Sequence, residues 1–194
     1  EVLTEEMLWE RIPEVEGVDR ANTYYELSAR VYARGQYDEA LALAETAKDI
    51  YLKEGANTEG LAQSYSAMGY NLNQLKRIDE AALAMSMAVE ILRANKSTLA
   101  LDLSITLGEW LFASKEYEKT VNCMDNCLQE HLVNGDNQGA ANDLYLIGLS
   151  QMELSEFEKS LDAIERARKF FKEEKDVVSV GRCDHKIAKI MNAM

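Results

Sequence analysis

The sequence predicts an all-α fold: an α-α superhelix of four helix pairs, opened by an N-terminal lead-in helix and closed by a C-terminal capping helix. Three observations predict it. An aromatic residue or Ile recurs at Tyr37, Ile78, Tyr117 and Phe157, followed three positions on by Ala40, Ala81, Thr120 and Ser160. A period of 39 to 41 residues is the mark of a stacked repeat array. One proline and ten glycines in 194 residues leave helices uninterrupted. Gly69, Gly108 and Gly148 recur at nearly the same period in the middle of helical segments.

Residues 1–20 form the lead-in, with Val2, Leu3, Met7, Leu8 and Ile12 on one side of a short helix that Pro13 ends. The repeats are 21–57, 58–97, 98–137 and 138–176, and residues 177–194 cap a single array over 1–194. Within them the helix pairs are 21–34 and 37–53, 58–75 and 78–94, 98–114 and 117–133, and 138–154 and 157–174. The turn Gly35-Gln36 divides the first pair. Gly55-Ala56-Asn57, Asn95-Lys96-Ser97 and Asn134-Gly135-Asp136 supply turn formers and N-caps between pairs.

A mid-helix glycine costs about 1 kcal/mol against alanine. Its recurrence calls for a packing reason: the first helix of each pair must approach the second closely, and a side chain would hold them apart. Ser28 takes the equivalent place in the first repeat and Ala188 in the last helix. Ala40 and Ala81 are the matching small residues of the second helices, with Ala47, Ala88, Cys127 and Ala167 further along.

Leu27-Ser28 with Gly35-Gln36-Tyr37-Asp38-Glu39-Ala40, Met68-Gly69 with Ile78-Asp79-Glu80-Ala81, Leu107-Gly108 with Tyr117-Glu118-Lys119-Thr120, and Ile147-Gly148 with Phe157-Glu158-Lys159-Ser160 make a set. As a set they resemble the tetratricopeptide repeat over residues 21–192, in a long form of about 40 residues rather than the usual 34. Thr120 and Ser160 replace the usual alanine, and no proline ends a repeat. The resemblance implies a concave face lined by the first helices. Its inward residues would be Asn22, Tyr25, Ala29 and Tyr32; Gln63, Ser66, Tyr70 and Asn73; Asp102, Ile105, Glu109 and Phe112; and Asn142, Tyr145, Leu149 and Met152. Of these, Tyr25, Tyr32, Gln63, Tyr70, Asn73, Glu109, Phe112, Asn142 and Tyr145 are the expected partner-binding residues. Tyrosine gives apolar area at low entropic cost, and amides hydrogen-bond an extended backbone.

The net charge of −13 argues against nucleic acid and anionic membranes as partners. No apolar run is long enough to span a bilayer. Three cysteines are too few for a disulfide scaffold, so a reducing, cytoplasmic setting is expected. No Lys or Arg lies between Glu54 and Lys76, from Ser97 to Ser114, or from Asn137 to Glu158. Some tetratricopeptide proteins clamp acidic chaperone C-termini with Lys, Asn and Arg, and Tyr25, Ala29, Ser66 and Tyr70 stand at those places here. An acidic chaperone tail is therefore excluded. With Asp102, Glu109, Asp143 and Glu153 nearby, the groove should favour a neutral, apolar or basic segment.

Cys123, Cys127 and His131 share one helix face, but two helical turns separate the ends and Cys127 holds a core position, so no metal is expected. Nor is any cofactor or catalytic residue: no nucleophile motif or phosphate loop occurs. The leading reading is a protein-interaction scaffold. Another is the sensing segment of a larger bacterial signalling protein, or a peptide-responsive regulator. A third is self-association through the last helix. Gly108→Leu is expected to lower the melting temperature, and an unchanged value would count against the packing argument.

Overall fold

The computed structural model describes residues 3–55 and 59–194. Val2, Ala56, Asn57 and the expected helix start at Thr58 fall outside them. Ten α-helices and no strand occur among the described residues: α1 Glu5–Arg11, α2 Gly17–Ala33, α3 Tyr37–Lys53, α4 Glu59–Gln74, α5 Ile78–Ala94, α6 Leu99–Ala113, α7 Tyr117–Asn134, α8 Asn137–Glu153, α9 Phe157–Glu173 and α10 Val177–Ala193. From α3 onward each end lies within about one residue of its sequence-based expectation. The exception is α2, which begins four residues early at Gly17. Pro13 sits in a 3₁₀ turn, Ile12–Glu14, where its missing N–H costs nothing.

Two compact units divide at Leu103, within α6. In the first, α2 packs on α3, α3 on α4 and α4 on α5, while α2 also meets α4. One core gathers Leu8, Leu27, Val31, Ala40 and Leu43. A second gathers Tyr51, Leu61, Ala62, Ala88, Leu92 and Ala100. The lead-in segment covers the outer side of α2: Leu8 is fully buried, Arg30 Nη2 donates to Leu3 O at 3.0 Å, and Arg34 pairs with Glu5 at 3.0 Å. In the second unit α7 packs on α8, α8 on α9 and α9 on α10, around Met124, Leu128, Leu144, Ile164 and Phe171.

The periodic small residues mark where paired helices touch. A Cβ on Gly148 would stand 2.6 Å from Ile164 Cδ1 and 3.2 Å from the Ser160 carbonyl. A Cβ on Gly108 would collide with Met124 Sδ. Both large residues lie sixteen positions downstream of their glycine, so α9 and α7 present the same knob to α8 and α6. Residues twelve apart also face one another across a turn. Ser28 Oγ donates to Ala40 O at 2.7 Å, and Ser160 Oγ donates to Gly148 O at 2.7 Å. The hydroxyl comes from the first helix in one pair and from the second in the other.

Each turn is built on one left-handed residue: Gly35, Gly55, Lys76, Lys96, Lys115, Gly135, Ser155 and Lys175. They fall at steps of 19 to 21. After Gly35, Lys76, Lys96, Lys115, Gly135, Ser155 and Lys175 the next residue's N–H returns to a carbonyl five positions back, as in Gln36 to Val31, Arg77 to Leu72 and Glu116 to Leu111. That is the Schellman closure of a helix end. The same residue's carbonyl then accepts the first bond of the following helix, as Gln36 O does from Ala40 N and Glu116 O from Thr120 N.

A left-handed conformation costs a side-chain-bearing residue about 1–2 kcal/mol. Lys115, at φ +62°, carries that cost where glycine would not. Lys115→Gly is expected to stabilise the protein by about 1 kcal/mol, a rise of about 2–4 °C in calorimetric melting temperature for a chain of this size. No rise would show that local backbone conformation does not limit stability here.

Candidate functional site

In the first unit α2 and α4, the first helices of their pairs, bound an open cleft of about 340 Å³. α2 contributes Tyr25, Ser28, Ala29 and Tyr32, spaced i, i+3, i+4 and i+7 along one face. α4 contributes Ser66, Ala67, Tyr70 and Asn71. Tyr25 and Tyr32 are half-buried, and Tyr70 is 37% exposed. Burial raises the Tyr25 phenol above its ordinary pKa, so it stays a neutral hydrogen-bonding group. The Tyr32 ring leans on Tyr37 at 5.3 Å between centroids, and its oxygen accepts from Gln74 Nε2 at 3.3 Å across the two helices.

The serine hydroxyls of the cleft are already engaged: Ser28 with Ala40 O, and Ser66 with Gln63 O at 3.0 Å. The cations of α2 point elsewhere. Arg20 Nε donates to Val15 O at 2.7 Å and Arg30 reaches Leu3 O. α4 has neither Lys nor Arg. The lining is thus wholly uncharged.

Among the expected partner-binding residues, Tyr25, Tyr32 and Tyr70 converge on this cleft. Gln63 and Asn73 lie on the same helix as Tyr70, half-buried, outside the lining. The other four belong to the second unit. Glu109 and Asn142 are exposed. Phe112 packs edge-on against Tyr117 at 5.5 Å, the counterpart of the Tyr32–Tyr37 contact two helix pairs earlier. Tyr145 is only 9% exposed, with Arg182 of α10 standing 4.7 Å over its ring. The sequence reading missed Asn71 as a lining residue, although it adjoins Tyr70.

Asp143 requires a correction. It was expected beside the groove, but it is 1% exposed, and its Oδ2 lies 2.6 Å from His131 Nδ1. The two residues are twelve apart and face each other across the α7–α8 turn. His131 Nε2 stands 3.7 Å from Asp136, whose Oδ1 accepts from Gly139 N and caps α8. A Cβ at position 139 would stand 2.6 Å from the imidazole, so glycine there admits the His131 ring. Burial pushes the Asp143 carboxyl up to about 6, opposed by the hydrogen bond from His131.

His131 is thus engaged within the core rather than with the cysteines. Cys127 is fully buried, and Cys123 Sγ donates to Ser104 O at 3.3 Å. Burial pushes the Cys183 thiol up to about 11, which leaves it a poor nucleophile. Among the described residues no three His, Cys, Asp or Glu side chains gather as metal ligands, and no helix is long and apolar enough to cross a membrane.

Residues 8–94, from α1 through α5, match the family model of the tetratricopeptide repeat. No curated protein matches the sequence. Several solved structures share the fold. RapI in its apo form is 16% identical with a TM-score of 0.77, over 97% of this chain and 53% of that one. A kinesin light chain repeat protein of Podosopora anserina is 13% identical with a TM-score of 0.71, over 89% of this chain and 85% of that one. A Rap protein complexed with competence and sporulation factor is 12% identical with a TM-score of 0.61, over 97% and 58%. The chain spans little more than half the length of the two Rap proteins.

The folded chain holds the Asp143 proton more tightly than the unfolded chain does. Its contribution to stability is therefore fullest below pH ~4 and is lost as pH rises through about 6. Carboxyl NMR is expected to place the Asp143 midpoint near 6. Between pH ~4 and ~6 the protein should lose on the order of 2 kcal/mol relative to Asp143→Asn. An ordinary carboxyl midpoint would overturn this account of the pair.

Proposed function

We propose that this chain, a helical-repeat protein of the tetratricopeptide type, is a non-catalytic interaction module that holds a short segment of a partner protein against its first helices. One observation carries the proposal: the uncharged cleft on α2 and α4, where Tyr25, Tyr32 and Tyr70 stand together. Rigid aromatic walls supply contact area at little entropic cost, and amide side chains such as Gln63 and Asn73 nearby can bond an extended backbone. An acidic tail would meet no cation in this cleft. A neutral, apolar or basic segment meets no such penalty.

A second reading has its own support. The chain spans 53% and 58% of two Rap proteins of similar fold, one of them complexed with competence and sporulation factor. In that reading this chain is the sensing part of a regulator, and the cleft receives a signalling peptide. Both readings use the same site, in a cytoplasmic setting.

Affinity capture from native lysate tests the site. One bait is the intact chain, and another carries Tyr32→Ala, Tyr70→Ala and Asn73→Ala. A control carries Leu83→Ala, at a residue 66% exposed on α5. Circular dichroism checks that all three fold. A partner retained by the intact and control baits should fall about tenfold or more on the groove variant, since clustered aromatic contacts each carry on the order of 2 kcal/mol. Equal recovery on all three would place the binding surface elsewhere.

A further inference from the structure

α10 takes the place of a first helix without a second helix against it. Ile187-Ala188 repeats Leu27-Ser28, Leu107-Gly108 and Ile147-Gly148 near the same period. Ser28, Gly108 and Gly148 are buried, each facing the second helix of its pair, whereas Ala188 is exposed. α10 packs on α9 and buries Ser179, Cys183 and Ile190. A different stripe of the helix holds Val177, Val180, Ile187 and Met191. Val177 is 80% exposed and Met191 63%. Stacked repeats bury such a face against a neighbour. α1 does this for α2, where Leu8 is fully buried.

Charge indicates what fits this face. Half of the large apolar side chains exposed among the described residues lie in α10 or in residues 7–18. The two stretches carry opposite charge: residues 177–194 hold three bases and one acid, and residues 1–20 hold seven acids and two bases. On α10 the acid, Asp184, pairs with Arg168. Arg182, Lys186 and Lys189 have no ion pair among the described residues. In the lead-in segment Glu6, Glu10, Glu14 and Glu16 are likewise exposed and unpaired, beside the exposed Met7 and Trp9. Two copies of α10 would bring cations together, and two lead-in segments would bring acids together. The unlike pair covers apolar surface and joins opposite charges. The net charge of −13 repels two copies at long range. At physiological salt that field is screened beyond ~8 Å, so the groups in contact decide.

We propose that the uncovered face of α10 docks on the acidic lead-in segment of a second copy of this chain. Val177 and Met191 are covered by the apolar residues of that segment, and Arg182 and Lys189 meet its acids. Such a contact is heterologous. Each copy in a pair keeps one face of each kind free, so association continues past the dimer. The tyrosine cleft of α2 and α4 takes no part in it.

Sedimentation velocity over a wide range of concentration tests this, with two variants whose folding is checked by circular dichroism. One carries Arg182→Glu and Lys189→Glu; the other carries Glu6→Lys and Glu10→Lys. The intact chain is expected to associate past the dimer as its concentration rises. Each variant alone should associate at least about tenfold more weakly, because like charges then meet. Mixing the two variants restores opposite charges at every contact, and association should return to that of the intact chain. An intact chain that stays monomeric throughout would overturn the proposal and leave α10 to a different occupant. Association that the lead-in variant does not weaken would also overturn it, and would pair α10 with another surface. Loss in both variants without recovery on mixing would overturn it as well.

Discussion

Everything in this protein depends on two helices being able to lie against each other without a side chain between them. Gly148 receives Ile164, Gly108 receives Met124, and the fully buried Ser28 takes the same place in the first pair. The serine fits because its hydroxyl is spent on Ala40 O rather than left as bulk against α3. α2 and α4 lie near enough to share a cleft, which Tyr25 and Tyr32 of α2 line together with Tyr70 of α4. The cleft is thus a by-product of the packing rule, with its chemistry set by whatever residues happen to face into it.

The fold could be read from the sequence because its determinants are periodic and local. A repeated glycine, a repeated aromatic residue and turn formers at fixed steps carry their meaning without knowledge of any partner. Lys76, Lys115 and Lys175 show where this fails: nothing in a lysine announces a left-handed turn, and the surrounding helices impose it. The start of α2 also escaped, because Gly17 reads as a loop residue when it begins a helix from a left-handed conformation.

The site was legible in part. Tyr25, Tyr32 and Tyr70 could be placed on one face because helix period alone determines it. Tyr145 obeys the same period, yet Arg182 from α10 stands over its ring, and no pattern within α8 records that neighbour. Asp143 reads as one more surface acid until its distance from His131 is noticed. The twelve-residue offset that joins Ser28 to Ala40 and Ser160 to Gly148 also joins these two, and it was the available signal. Asn71 is harder, since an amide beside a tyrosine looks the same whether or not it lines a cleft.

The turns impose a constraint on how such a chain can change over evolutionary time. Gln36, Arg77, Glu116, Asp136, Glu156 and Asp176 each close one helix with the N–H and open the next with the C=O. One residue thus belongs to two helices at once. An insertion or deletion at such a joint would break both ends together, so lineages of this protein should differ in length by whole helix pairs rather than by single residues at these joints.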